Sequence, residues 1–146
     1  MSNETSLGSS TTHEDIVDTL SFFDDWEERY TYIIELGKAL PPYPEALKIE
    51  SHLVRGCQSQ VWLHIEVNDD GTLSLYVDSD ALIVRGLAAI VLAALNQKTP
   101  QQILDFDMQA YFQAIDLLKH ISPTRGNGVQ SMVERIRHEA QKRLAA

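Results

Sequence analysis

Residues 61–77 read VWLHIEVNDDGTLSLYV, and this stretch decides the fold class. Apolar residues alternate with other residues from Val61 to Val67 and again from Leu73 to Val77, which is the period of a half-buried strand. The intervening Asn-Asp-Asp-Gly run supplies turn-forming residues. The stretch therefore predicts an antiparallel β-hairpin. Two strands alone are marginally stable in water, so we expect a third strand from residues 49–54 together with a helical layer.

Helical signals precede the hairpin. Thr12 followed by Asp15 matches a capping pattern at a helix start. Asp24 begins a second stripe of apolar residues with helical period. This second helix should end near Gly37 and the two prolines that follow, because proline lacks an amide donor and clashes with the preceding turn.

Helices also follow the hairpin. Residues 81–96 are apolar on almost every side and predict a central buried helix, capped by Asp78 or Asp80. Residues 122–128, which contain two glycines, predict a loop, and a final amphipathic helix begins at Val129. Two shorter helices are predicted between these, one restarting at Thr99-Pro100 and one over Met108–Leu118.

The order of these elements predicts an α+β domain: helices, then a small antiparallel sheet of about three strands, then helices. The small polar residues 1–12 predict a disordered N-terminal tail. Residues 13–146 then form a single domain, since neither a linker nor an internal repeat divides them.

The composition argues against several classes of function. A formal charge of −9 repels nucleic acid, and the one basic stretch, residues 135–143, is interrupted by Glu139 and is typical of a solvated helix face. No apolar run is long enough to cross a membrane. The N-terminus lacks the basic start and apolar run of a signal peptide, so we expect a reducing, cytoplasmic location.

Cys57 is the single cysteine and the residue best suited to chemistry. It follows Gly56 in a polar connection that leads into a strand, and the neighbouring Arg55 would favour its thiolate. The alternative is a small buried apolar side chain, which is a frequent fate of free cysteine. The polar residues 58–60 favour a functional thiol.

Other thiol chemistry has less support. A cysteine hydrolase needs a histidine base, and the candidates His52, His64 and His120 carry no further signal. A zinc or iron–sulfur site needs several cysteine or histidine ligands at fixed spacing. We therefore expect the chain to bind no metal and no cofactor.

Four segments together carry a family resemblance. The stretch Gly56–Trp62, reading GCQSQVW, is similar to the signature of the SufE family of cysteine desulfuration proteins. The other segments resemble the family's central helix with its acidic start, its loop before the last helix and its N-terminal helix; they lie at 78–87, 122–128 and 26–37. The similarity runs from about Phe23 to the C-terminus.

The resemblance implies a function as a sulfur carrier. SufE-like proteins accept sulfur from the persulfide of a pyridoxal-phosphate cysteine desulfurase, SufS, and pass it toward iron–sulfur cluster assembly on a scaffold such as SufB. The acceptor cysteine of the signature falls on Cys57. The pyridoxal cofactor belongs to the desulfurase, so the carrier itself is an activator and not an enzyme. The family's fold, a small antiparallel sheet covered by helices, agrees with the predicted order of elements.

Six further residues are candidates for binding the partner or stabilising the persulfide: Arg125, Gln58, Gln60, Asp78, Asp80 and Arg85. Each has a structural alternative. Arg125 could instead pair with an acidic surface residue, and Arg85 could be the polar edge of a buried helix. Asp78 and Asp80 are helix caps first.

Three alternatives remain open at this point. A sister branch, the CsdE-like acceptors, replaces the Gln-Ser-Gln segment, so its presence at residues 58–60 favours a SufS-type partner over a CsdA-type one. A contact-only activator of the desulfurase would not use Cys57 as a nucleophile. A homodimer is also left open.

Overall fold

The computed structural model describes residues 6–54 and 59–145 and has an α+β architecture, as predicted. Its elements in chain order are α1 (His13–Phe22), α2 (Trp26–Leu36), three short 3₁₀ turns (Gly37–Ala39, Glu45–Leu47 and Glu50–His52), β1 (Val61–Val67), β2 (Leu73–Ser79), α3 (Leu82–Leu95), α4 (Pro100–Asp105), α5 (Met108–Ala114) and α6 (Pro123–Ala145).

The hairpin forms as the alternation predicts. β1 and β2 pair antiparallel from Val61 opposite Ser79 to Val67 opposite Leu73. The turn is closed by Asp70, whose carboxylate accepts hydrogen bonds from the backbone and side chain of Thr72. The residues of β2 that face the core are fully buried.

The predicted third strand is wrong. Within the described residues the sheet has two strands, and residues 49–54 contribute only one antiparallel bridge, between Leu53 and Trp62. The cause is the turn Glu50–His52, in which the amides of His52 and Leu53 donate to carbonyls three residues earlier. A 3₁₀ turn uses these amides locally, so they cannot join a ladder.

α3 is the central helix, as its composition predicts, and it is buried over its last ten residues, Gly86 to Leu95. It approaches α2 very closely at one point. A Cβ atom added to Gly86 would lie 2.2 Å from the carbonyl oxygen of Ile33. The glycine therefore permits backbone contact between the two helices.

The predicted loop at residues 122–128 is also wrong, because α6 already begins at Pro123. Proline suits the first position of a helix. The Ser122 side chain accepts from the amide of Arg125 at 3.2 Å, and its carbonyl accepts from Gly126 at 2.9 Å. Two glycines lower helix propensity, but the buried residues that follow, beginning with Val129, offset this cost through packing.

The N-terminal segment differs from the expected tail. Residues 6–12 pack on the domain, and Leu7 has no exposed surface. Asn96 Nδ2 donates to the carbonyl of Leu7 at 3.0 Å, and Lys98 Nζ donates to that of Gly8 at 2.6 Å. The packed part of the chain thus begins before residue 13; residues 1–5 lie outside the described ranges.

Candidate functional site

The predicted acceptor Cys57 and its neighbour Gln58 lie outside the described residues, and their roles stay predictions. The residues on both sides are described. The amide of Val54 donates to the carbonyl of Val61 at 2.8 Å. Val54 and Val61 flank residues 55–58, called the Cys57 segment below. Their hydrogen bond brings the chain on the two sides of that segment together at the start of β1.

Gln60 and Asp80 form a second contact at the same place. The Gln60 amide donates to Asp80 Oδ1 at 3.1 Å, and the Asp80 amide donates to the Gln60 carbonyl at 3.4 Å. The predicted role of Asp80 as a helix cap is therefore wrong. α3 begins after Ala81, and no side chain makes a capping hydrogen bond there. The Asp80 carboxylate instead binds the backbone of Gln60, which lies between the Cys57 segment and β1.

Asp78 is likewise not a helix cap. Its carboxylate lies 2.9 Å from Lys48 Nζ and 3.0 Å from Arg85 Nε, and its side chain is only 14% exposed. The Arg85 Nε–H is buried and poorly aligned for a hydrogen bond, so that contact acts as an ion pair. Asp78 and Arg85, both predicted as site residues, thus bind each other.

Two pKa shifts reflect this ion-pair cluster. Burial alone would raise the pKa of Asp78, but the hydrogen bonds from Lys48 and from the Ser79 amide, with the charge of Arg85, hold it below its usual value. Burial, with a contribution from the Asp78 charge, raises the pKa of Tyr43 to about 12. The cluster ties the segment before β1 to β2 and α3 through charge.

Arg125 lies at a different place, beside the residues that follow Cys57. Arg125 and Ser59 line one small pocket of about 20 Å³, enough for a water-sized group. The rest of its wall is mostly apolar and comes from β1, α3 and α6: Val61, Val84, Leu87, Thr124, Gly128, Val129 and Met132. Arg125 therefore lines a mostly apolar space that it shares with Ser59, two residues after Cys57.

The alternative role of Arg125 is an ion pair with an acidic surface residue. Among residues 6–54 and 59–145, Arg125 makes no ion pair. Within these ranges no carboxylate pairs with its guanidinium, and a cation stabilises an anion more strongly in a mostly apolar setting than in water. The pocket can thus favour a thiolate or a persulfide anion chemically.

Two residues near the site were not identified from the sequence. Lys48 pairs with Asp78 and lies 5.2 Å from the centre of the Trp62 ring. Arg135 donates from Nη2 to the Ser51 carbonyl and from Nη1 to the Leu53 carbonyl. No local pattern marks Lys48. The spacing of Arg135, Glu139 and Arg143 places them on one helix face, and their charges alone predict a solvated surface there.

Within the described ranges, no group of three or more histidine, cysteine, aspartate or glutamate residues could hold a metal ion. No described helix is long and apolar enough to span a membrane.

Comparisons with known proteins agree on one family. The family model described as "SufE: Fe-S metabolism associated domain" matches residues 14–140. An uncharacterized SufE-like protein of Rhizobium meliloti is 45% identical over 139 residues, which cover 93% of this chain and 99% of that protein. A second, from Rhizobium etli, is 47% identical over 136 residues, covering 91% and 92% respectively.

A solved structure shares the fold. The solution structure of a hypothetical protein from Thermus thermophilus superposes with a TM-score of 0.75. The match covers 92% of this chain and 96% of that one at 20% identity, so it shows likeness of fold alone.

Proposed function

Because this chain belongs to the SufE family, whose domain is associated with iron–sulfur metabolism, we propose that it carries sulfur as a persulfide on Cys57. The donor is the persulfide of a pyridoxal-phosphate cysteine desulfurase of the SufS type. The sulfur then passes toward iron–sulfur cluster assembly, with a scaffold such as SufB as acceptor. The family match identifies an accessory protein of iron–sulfur metabolism, and the persulfide chemistry is the proposed step.

The observation that carries this proposal is the pocket shared by Ser59 and Arg125. Ser59 is two residues after the single cysteine, and Arg125 is a cation without an ion-pair partner among the described residues. A nearby cation favours the thiolate, which is the nucleophilic form of cysteine. The apolar wall limits the access of water to a sulfur anion held there.

The transfer is a displacement at sulfur, of the same type as thiol–disulfide exchange. The Cys57 thiolate attacks the terminal sulfur of the donor persulfide, a new S–S bond forms on Cys57, and the donor S–S bond breaks. The electron pair of the broken bond leaves with the donor sulfur as a thiolate. The Cys57 sulfur is oxidised as the donor sulfur is reduced, so no external oxidant is needed. Removal of the sulfur frees the desulfurase for another cycle.

The test is intact mass spectrometry of the chain after incubation with free cysteine and a SufS-type desulfurase. We expect a gain of one sulfur atom that a reductant releases. Cys57→Ser is the matched control and should gain none. If the wild-type chain gains no sulfur while the desulfurase is still accelerated, the protein acts by contact alone and Cys57 is not the acceptor. Replacing the desulfurase by one of the CsdA type tests the choice of partner.

A further inference from the structure

The outer edge of β1 is open over its second half. The Val54 amide donates to the carbonyl of Val61, so the backbone groups of Val61 and of every second residue after it point away from β2. Beyond the bridge between Leu53 and Trp62, no described segment pairs with this edge. The backbone groups of Ile65 and Val67 are therefore free to pair with an added strand.

The opposite edge of the sheet is covered. Along β2, the amide of Leu73 donates to the Lys98 carbonyl at 2.8 Å, and its carbonyl accepts from Gln97 at 2.9 Å. The Leu75 amide donates to the Asn96 side chain at 2.8 Å. The segment after α3 thus protects the β2 edge, whereas the described residues leave the second half of the β1 edge uncovered.

β1 also has few of the features that protect a free edge. Natural edge strands carry charged residues, above all lysine, or proline or a bulge that discourages pairing. β1 contains neither lysine nor proline, its one carboxylate, Glu66, is hydrogen-bonded to His64, and its ladder with β2 runs without a bulge. Val67, at the open end, is 58% exposed. Such an edge is suited to pairing with another chain.

A basic pocket lies beside this edge, between β1 and α6. It has a volume of about 220 Å³, and its lining comes from two places: His52, Leu63, His64 and Ile65 in or before β1, and Arg135, Glu139 and Arg143 in α6. Arg143 is paired with Glu139 at 2.9 Å. Arg135 donates to backbone carbonyls and makes no ion pair with any described residue; Glu139, in the same pocket, acts on its charge from beyond ion-pair distance.

The charge of this part of α6 is opposite to that of the whole chain. Residues 135–143 contain four cations, Arg135, Arg137, Lys142 and Arg143, against Glu139, a net of +3 (four minus one) in a chain of −9. A local positive surface on an acidic protein attracts anionic groups and steers their approach.

From the open edge and the basic pocket, we propose that β1 binds an acidic, extended segment of a partner protein as an added strand. The main chain of that segment pairs with Ile65 and Val67, and a carboxylate side chain meets Arg135. This mode of recognition takes affinity from backbone hydrogen bonds and specificity from adjacent side-chain pockets. The inference goes beyond sulfur transfer and does not depend on Cys57.

A second copy of this chain suits the edge less well. Two chains that each carry −9 repel one another. The only carboxylate in β1, Glu66, is already engaged by His64 at 3.1 Å and by the Tyr76 hydroxyl at 3.3 Å. A β1 strand from another copy therefore brings no free carboxylate to Arg135.

The test uses the isotopically labelled full chain and a short synthetic peptide that alternates glutamate and valine, with its lysine–valine counterpart as control. We expect the acidic peptide to shift the NMR signals of the Ile65 and Val67 amides and to protect them from hydrogen exchange. Added salt should weaken the binding, because the charges are near the surface. The lysine peptide should produce neither effect.

Two variants on α6 form a matched pair. Arg135→Gln should weaken binding of the acidic peptide about threefold, the size expected for one partly exposed charge pair. Arg137→Gln removes the same charge from the same helix, but Arg137 donates to the carbonyls of Ile103 and Leu104 instead. It should leave the affinity unchanged. Ile65→Pro removes the amide that faces the open edge and should abolish binding. An edge strand tolerates proline at a position whose amide faces outward.

Three outcomes of the peptide experiments would overturn the inference: equal binding of both peptides, unchanged Ile65 and Val67 signals with either peptide, or equal weakening by Arg135→Gln and Arg137→Gln. A concentration-dependent dimer in sedimentation that Ile65→Pro dissociates would show that a second copy covers this edge, which also overturns it. If Ile65→Pro does not fold, the exchange data and the two arginine variants decide.

Discussion

Arg135 Nη2 lies 2.8 Å from the carbonyl oxygen of Ser51, so the last helix holds the segment that leads toward Cys57. Nη1 of the same guanidinium donates to the carbonyl of Leu53 at 3.2 Å. A single side chain far along the sequence thus fixes two carbonyls on the near side of the Cys57 segment. On its far side, the Asp80 carboxylate accepts a hydrogen bond from the amide of Gln60.

We predict that Arg135→Met lowers the free energy of unfolding by about 1 kcal/mol, because two hydrogen bonds to carbonyls are lost. It should also accelerate alkylation of Cys57 by iodoacetamide, since one end of the segment is no longer held. Denaturant unfolding and mass spectrometry measure the two effects. Arg137→Met is the control: equal acceleration of alkylation in this variant would mean that the Arg135 contacts do not act locally.

Arg125→Ala should slow sulfur uptake by Cys57 roughly tenfold, because it removes the cation proposed to stabilise the sulfur anion. Arg125→Lys should recover part of the rate, since it keeps the charge. The measurement is the rate of persulfide formation at saturating desulfurase, followed by quenched-flow mass spectrometry. A loss that vanishes at saturation would assign Arg125 to docking of the partner instead.

Asp78→Asn should destabilise the fold by about 1–2 kcal/mol at neutral pH, because Lys48 and Arg85 lose the negative charge of a mostly buried carboxylate. Since the pKa of Asp78 is lowered in the folded state, its ionisation contributes stability that is complete above the ordinary value of 3.8. That contribution is lost as the pH falls through the lower folded value.

Unfolding of wild type and Asp78→Asn from pH 7 down to strongly acidic conditions measures this dependence. The difference in unfolding free energy between wild type and Asp78→Asn should become smaller only under strongly acidic conditions. Glu45→Gln is the control, because Glu45 also contacts Lys48, at 2.8 Å, but its side chain is 81% exposed. It should change stability by less than about 0.5 kcal/mol. A difference for Asp78→Asn that does not shrink in acid would contradict the ion-pair explanation.

Two helical glycines should respond in opposite ways to the same change. Gly86→Ala should destabilise by about 2 kcal/mol or more, because the added methyl group would lie 2.2 Å from the Ile33 carbonyl oxygen. Gly126→Ala should be neutral or stabilise by up to about 1 kcal/mol, since the nearest atom, Leu118 Cδ2, lies 3.8 Å away and alanine favours the helix. Thermal unfolding of both variants checks the signs, and a stabilising Gly86→Ala would be incompatible with the close approach of α2 and α3.

The sequence by itself determined the features that depend on near neighbours. The hairpin from Val61 to Ser79 follows from alternation and turn residues. The burial of α3 follows from its nearly continuous apolar composition. The caps at Thr12 and Thr99 follow from side chains that reach amides only three residues away. The family signature around Cys57 belongs to the same class, because it is a contiguous string of residues.

Only the tertiary structure decided the roles of residues that act across long distances in sequence. Asp78 and Asp80 match helix-cap patterns locally, but Arg85, Lys48 and Gln60 hold their carboxylates. The glycines at residues 126 and 128 predict a loop, but packing of the buried face of α6 offsets their low helix propensity. Leu7, in a polar tail, is buried beside Asn96. In each case the deciding partner lies on another element, so its contact exists only once the chain has folded.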